Sequence, residues 1–198
     1  MPPEIADGAE DWAGMMDGSG WTPLHFLCQA VNRGHLLAEA GARRSGLDLL
    51  GHPTFVVRWL VAAGCELNAP IVQKLQNTNA VGFRALHLLA KPHHKWTREQ
   101  LDDVLALAQA ILQQGGRVNP EVPHSGRMPL SLAASSGQEE LALLLVRYGA
   151  DPAAPERDGL TPIGICRRGR QPVMASRLEE ECLRRSSLES KADPRARR

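Results

Sequence analysis

Apolar residues recur at intervals of three and four through residues 97–114, where Leu101, Val104, Leu105, Ala108, Ile111 and Leu112 share one stripe of a helix. This pattern predicts a single long helix from Thr97 to Gln114. Thr97 and Gln100 have the spacing of a capping box, in which each side chain satisfies the other residue's backbone N–H. Other apolar runs end in glycine: Trp59 to Gly64, Ile111 to Gly115 and Leu144 to Gly149. Glycine accepts the left-handed conformation that closes a helix, so each run predicts a helix end. An extended return follows, as in Cys65-Glu66-Leu67-Asn68-Ala69-Pro70.

Upstream of these runs, one tetrapeptide is restated four times: Thr22-Pro23-Leu24-His25, Arg84-Ala85-Leu86-His87, Met128-Pro129-Leu130-Ser131 and Thr161-Pro162-Ile163-Gly164. Thr22 and Thr161 can accept from backbone N–H groups that lack an intrahelical partner, and proline at the first helical position gives up an N–H that is dispensable there. Each tetrapeptide therefore starts a helix. A turn pair stands before each one, Ser19-Gly20, Val81-Gly82, Ser125-Gly126 and Asp158-Gly159, so each helix follows a chain reversal. The repeating unit is a turn, a short helix, a loop, a second helix, a glycine and a return. Successive tetrapeptides begin 62, 44 and 33 positions apart. A 33-residue period opening on Thr-Pro-Leu-His resembles the ankyrin repeat. The resemblance implies an all-α, ankyrin-like helical solenoid of about four units, with short β-hairpin turns between helix pairs.

Alignment on the glycines locates insertions. Gly20 to Gly64 spans 44 positions, against 23 from Gly126 to Gly149, which places extra residues around Leu36 to Gly51 in unit one. The first return loop is lengthened at Ile71 to Asn79, and unit two gains residues near Lys91 to Trp96 or as further turns of its second helix. The expected domain runs over 18–185, with units 18–80, 81–124, 125–157 and 158–185. An acidic disordered segment, 1–17, precedes it and a basic disordered tail, 186–198, follows.

Composition agrees with stacked helices. Aromatic residues make up 4% of the chain, so the core must be built from Leu, Ala and Val. No helix pair has enough apolar surface to stand alone, so neighbours must stack. Cys28, Cys65, Cys166 and Cys182 show no C-x-x-C pairing and favour a reducing compartment over a disulfide framework. The N-terminus lacks a basic start with an apolar run, and no stretch approaches a membrane span. These features predict an intracellular protein, cytoplasmic or nuclear, without membrane insertion.

The net charge of +1 is unevenly placed. Glu4, Asp7, Glu10, Asp11 and Asp17 make the start acidic, and residues 167–198 carry ten basic against five acidic side chains. Arginines of that tail could meet phosphates, but it has no aromatic residue for base stacking, which disfavours nucleic acid. A polar outer face is also what a terminal repeat needs. Glu179-Glu180-Glu181 reads as a solvated helix face, not as an acid–base pair. His93-His94 lacks the i, i+4 geometry of a helical metal site, and no nucleophile elbow, phosphate loop or dinucleotide fingerprint occurs. The expectation is a chain with no catalytic residue, cofactor or metal.

The ankyrin resemblance implies a partner-binding concave face made of the hairpin tips and the exposed side of each first helix. Carried over position by position, that face comprises Ser19, Trp21 and Gln29 in unit one and Val81, Phe83 and Lys91 in unit two. In unit three it comprises Ser125, Arg127, Ser135 and Ser136, and in unit four Asp158, Leu160, Arg167 and Arg168. Trp21 and Phe83 are the first candidates for exposed aromatic anchors. The competing reading packs Trp21 against the N-terminal segment as a cap. His25 and His87 occupy the place where the family bridges adjacent units by hydrogen bonds. Asn68, with Leu60 and Glu66 upstream, resembles the ankyrin asparagine modified by an intracellular hydroxylase, although asparagine also ties such turns. Arg184-Arg185-Ser186-Ser187 fits a basic-directed kinase at Ser186 or Ser187.

The resulting expectation is a monomeric, non-catalytic interaction module that holds another protein through its reversals, first helices and inserted loops. Two alternatives are a targeting or regulatory segment of a larger enzyme, such as a ubiquitin ligase, kinase or acyltransferase, and nucleic-acid binding through the arginine tail.

Overall fold

The computed structural model describes residues 20–33, 53–72, 80–91 and 96–192. Eight helices fall within them: α1 (Pro23–Arg33), α2 (Pro53–Ala62), α3 (Ala85–Ala90), α4 (Arg98–Gln113), α5 (Pro129–Ser136), α6 (Glu139–Arg147), α7 (Pro162–Arg168) and α8 (Pro172–Ala192). Five of them, α1, α3, α4, α5 and α7, start where the tetrapeptides and the Thr97 cap predict. Thr161 Oγ1 accepts from the Gly164 N–H at 3.0 Å. At Thr97 the box is reciprocal: Thr97 Oγ1 accepts from the Gln100 N–H at 3.3 Å, and Gln100 Oε1 accepts from the Thr97 N–H at 3.0 Å.

The helices form two layers. The first helices of the units pack in sequence, α1 on α3, α3 on α5 and α5 on α7, and the second helices do the same through α2, α4, α6 and α8. The core runs between the layers from Leu24 and Cys28 through Leu89, Val104 and Ile111 to Leu130, Leu145 and Leu178. Leucine, alanine and valine supply most of it, because closely stacked helix pairs leave little room for rings.

Chain reversals line one edge. Ile71 and Phe83 are joined by Ile71 N–H to Phe83 O at 2.8 Å, Val122 and Arg127 by Val122 N–H to Arg127 O at 2.9 Å, and Glu156 and Leu160 by Glu156 N–H to Leu160 O at 2.8 Å. Each reversal has too few such pairs to extend a ladder, and no strand occurs among the described residues. The described residues are therefore all-helical, and within them the reversals are not extended into β-hairpins. The reversals stack closely. Gly82, at φ +80°, would place a Cβ 2.6 Å from Pro123 Cδ, and Gly126, at φ +68°, one 2.5 Å from Arg157 Cγ. Only glycine combines that conformation with that approach.

One expectation changes at the chain's far end. The tail expected to be disordered from residue 186 is helical to Ala192. Polar contacts support the extension, with Arg184 beside Glu180 and Glu181 and Ser187 Oγ donating to Leu183 O at 2.8 Å. This last helix closes the stack through buried Met174, Ala175 and Leu178. Its charged side chains are also engaged: Arg177 pairs with Glu139 of α6, and Glu179 with Arg167 of α7 at 2.5 Å.

The insertion expected at 36–51 lies outside the described residues, as do 73–79 and 92–95. The ends of the last insertion are fixed by Asn32, which is buried at the end of α1. Its Nδ2 donates to Leu88 O at 2.6 Å and to Lys91 O at 2.7 Å, and its Oδ1 accepts from Trp96 Nε1 at 3.0 Å. One amide thus joins unit one to both ends of the unit-two insertion. Replacing Asn32 by Ala removes its bonds to Leu88 O, Lys91 O and the Trp96 indole and should destabilise the domain by about 2 kcal/mol, a loss to be read as a lowered urea midpoint with an unchanged slope.

Candidate functional site

His87 shows how the units are tied. Its Nδ1 accepts from the Arg84 N–H at 3.1 Å, so the neutral ring carries its proton on Nε2, which lies 3.2 Å from Arg127 O in the next reversal. Burial holds this imidazole down at a pKa of about 4, and the Arg84 guanidinium adds to the effect. His25 makes the corresponding local bond, accepting from the Thr22 N–H at 3.0 Å. Below the reversals, Asn68 Oδ1 accepts from the Arg117 N–H at 2.7 Å, and Asn119 Nδ2 donates to Gly149 O at 3.3 Å. Arg84 spans the same edge, donating from Nε to Asn68 O at 2.9 Å and from Nη1 to Glu121 O at 3.0 Å.

Against this frame, the expectation that Trp21 and Phe83 stand exposed as anchors is overturned. Trp21 is 0% exposed and stacked near Phe26, with ring centroids 5.2 Å apart, and Phe83 is 7% exposed with its ring 5.3 Å from that of His87. Phe83 is held inward by the pairing of its carbonyl with the Ile71 N–H, and Trp21 packs against the His25 and Phe26 rings of its own unit. What Phe83 offers the surface is a seat for Lys91, whose Nζ lies 5.4 Å from the ring centroid. Gln29 and Val81 are half-buried, and Lys91 is exposed. Ser19 lies outside the described residues.

Units three and four carry the open part of the face. Ser125, Arg127, Ser135, Ser136, Asp158 and Arg168 are exposed, and Leu160 is half-buried. Five of the expected residues, Arg127, Ser135, Asp158, Leu160 and Arg168, surround one cavity of about 280 Å³ between α5 and α7. Arg167 points away from it into the Glu179 pair.

Four residues of this cavity were not anticipated, Ser131, Glu156, Ile165 and Gly169, and the first two are its buried polar side chains. Ser131 holds the place of His25 and His87 in its tetrapeptide but is too short to reach the next reversal. It is 2% exposed, and among the described residues its Oγ has no hydrogen-bond partner. Glu156 holds the place of Ile71 and Val122, each of which pairs with the residue after a turn glycine. It is 8% exposed, and one long bond, 3.4 Å from the Met128 N–H to Oε1, reaches its carboxylate. Both departures become visible in the sequence once the four units are set in register.

The other chemical candidates resolve into framework. Cys28, Cys65 and Cys166 are buried and unpaired by disulfide. Burial pushes the Cys28 and Cys166 thiols above their usual range, with Cys65 adding to the shift at Cys28, so neither forms a reactive thiolate near neutral pH. Among the described residues no group of three or more His, Cys, Asp or Glu side chains could hold a metal ion, and His93 and His94 lie outside them. No described helix is long and apolar enough to cross a membrane. Asn68 is half-buried with its carbonyl oxygen engaged, and Ser187 lies within α8, where Ser186 also belongs.

A family model for the ankyrin repeat matches residues 125–157, which are unit three. The chain contains ankyrin repeats. The human ARF GTPase-activating protein GIT1 is 37% identical over 142 residues, covering 72% of this chain and 18% of that protein. The human ARF GTPase-activating protein GIT2 is 39% identical over 70 residues, 35% of this chain and 9% of its own length. The human 2-5A-dependent ribonuclease is 31% identical over 85 residues, 43% of this chain and 11% of that enzyme. The ankyrin domain thus spans less than a fifth of the length of these relatives. The repeat suggests a protein-interaction module.

The buried imidazole makes the ankyrin stack sensitive to acid. Unfolded His87 titrates near 6.5 and folded His87 near 4, so between these values the unfolded chain binds more protons and stability falls as pH falls. His87 should contribute a loss of about 3 kcal/mol at most across that window. Urea melts from pH 7 to pH 4 should show a shallower decline in His87→Gln than in the parent.

Proposed function

We propose that this ankyrin domain is a non-catalytic module that binds another protein along the reversal edge and first helices of units three and four. The supporting observation is the convergence of Arg127, Ser135, Asp158, Leu160 and Arg168 on one open cavity. These side chains mix both charges with apolar surface on a rigid helical frame, which suits recognition of a specific segment and limits the entropy lost on binding. Lys91, exposed over the Phe83 ring, extends the face into unit two. The unit-two insertion, anchored at both ends by Asn32, is a further contact on this reading.

A partner taken from native lysate by crosslinking and mass spectrometry should attach near Lys91 and the reversals. The purified pair should then lose at least tenfold in affinity on Arg127→Ala or Asp158→Ala, with Gln109→Ala on the outer helix layer as a neutral control. Equal affinity for all three variants, with circular dichroism unchanged, would refute the face.

A second reading is favoured by the relatives, which are named as GTPase-activating and ribonuclease proteins and extend well beyond the matched region. Here the ankyrin domain targets or regulates an enzyme within one longer polypeptide. An antibody against residues 125–157 should then detect an endogenous protein much larger than 21.6 kDa, and a band at that mass alone would exclude it.

A further inference from the structure

We propose that the cavity between α5 and α7 is a recess for a single cationic side chain, Lys or Arg, presented by an extended segment of the partner protein. This deepens the interaction-face reading and rests on it.

The recess exists because two framework positions depart together. In unit two, the His87 imidazole spans from its helix to Arg127 O at 3.2 Å and fills the space between first helix and reversal. In unit three, Ser131 stands in that place, and the residue equivalent to Arg127 is Leu160, so the span is missing and Ser131 and Leu160 line about 280 Å³ of open space. The pairing Glu156 N–H to Leu160 O, parallel to Val122 N–H to Arg127 O, fixes this equivalence.

The wall of the recess is built for a hydrogen-bond donor. Its two buried polar side chains are Ser131, 2% exposed with its Oγ unpartnered among the described residues, and Glu156, 8% exposed. Glu156 forms no ion pair among the described residues, and only the long Met128 N–H bond, 3.4 Å, reaches its carboxylate. A carboxylate reached by one long bond keeps most of its acceptor capacity, which a charged donor entering from a partner would take up. At the mouth, exposed Asp158 adds a second carboxylate, with its Oδ1 bonded to the Leu160 N–H at 3.0 Å.

Other guests fit less well. A carboxylate would meet Glu156 at depth, and a neutral amide would offer it a weaker donor than an ammonium or guanidinium. Arg127 and Arg168 are exposed at the rim, where they can swing into water or meet acidic residues flanking the guest. Leu160 and Ile165 supply apolar wall against which the methylene stem of Lys or Arg can lie.

The test titrates the whole ¹⁵N-labelled chain with the peptides acetyl-Gly-Ser-X-Ser-Gly-amide, X being Arg, Lys, Gln or Glu, followed by heteronuclear NMR. The Arg and Lys peptides should shift the Ser131, Leu160 and Gly169 amides saturably, with affinity at least tenfold above that of the Gln and Glu peptides. Glu156→Gln should remove that preference. Ser131→His, which restores the residue found in units one and two and so is compatible with the fold, should fill the recess and abolish the shifts. Absence of saturable shifts with the Arg and Lys peptides, equal or tighter binding of the Glu or Gln peptide, or shifts that persist in Ser131→His would each overturn the proposal. If the peptides fail while Arg127→Ala and Asp158→Ala still weaken the purified partner, the recess chemistry falls and the interaction face stands. If the peptides succeed while those variants leave the partner unaffected, the face itself falls.

Discussion

No helix pair in this chain encloses its own apolar surface, and everything else in the structure depends on that. Leu89 of α3 and Ile111 of α4 are dry only because α1, α2, α5 and α6 lie against them. Packing of this kind is non-directional. Polar bridges therefore set the register: His87 to the next reversal, Asn68 and Asn119 to the next return, and Asn32 to the ends of an insertion. Each links a residue of one unit to a backbone group of another, where the partner is the same whatever side chain evolves there. A solenoid built this way tolerates long additions between helices, provided the ends of each addition return to the same backbone positions.

That separation explains what could be read from residues alone. Helix starts were legible because proline and threonine act through the local backbone, and helix ends because glycine does the same. The long helix α4 was legible from its stripe. Exposure was not. Trp21 and Phe83 follow their turn glycines at a place expected to be open, yet each is buried with its ring against the histidine four residues on, in a reversal whose glycine is approached closely by the next unit, a packing fact invisible to local periodicity. Asn32 was missed for a related reason. A polar residue at the end of an apolar stripe looks like a helix terminus facing water, and its partners lie 56 to 64 positions away.

The candidate site was legible in part. Arg127, Ser135, Asp158, Leu160 and Arg168 were assembled from equivalent positions, and the structure places them about one cavity. The two residues that create the cavity were not found, because each conforms to a harmless local reading: Ser131 is an ordinary residue in the first turn of a helix, and Glu156 an ordinary acid beside an Asp-Gly turn. Their meaning is positional. Histidine at the first place and an apolar residue at the second are what close the gap between units elsewhere in the chain.

Two kinds of departure from the repeat therefore need to be weighed differently. Insertions change length where the chain already leaves the stack, so they add surface without disturbing the frame. Substitutions at frame positions remove something the stack uses, and the loss must be tolerated or put to use. Ser131 gives up a bridge, and Glu156 gives up an apolar contact for a buried charge. Had either arisen by drift alone, the simplest relief would be collapse of the neighbouring side chains into the gap, since interiors close-pack where they can. Instead α5 packs on α3 and α6 as well as on α7, and α7 packs on α8 as well as on α5, so neither closes on the gap without giving up other contacts. The scaffold's packing thus preserves the opening between α5 and α7 and keeps Ser131 and Glu156 in its wall.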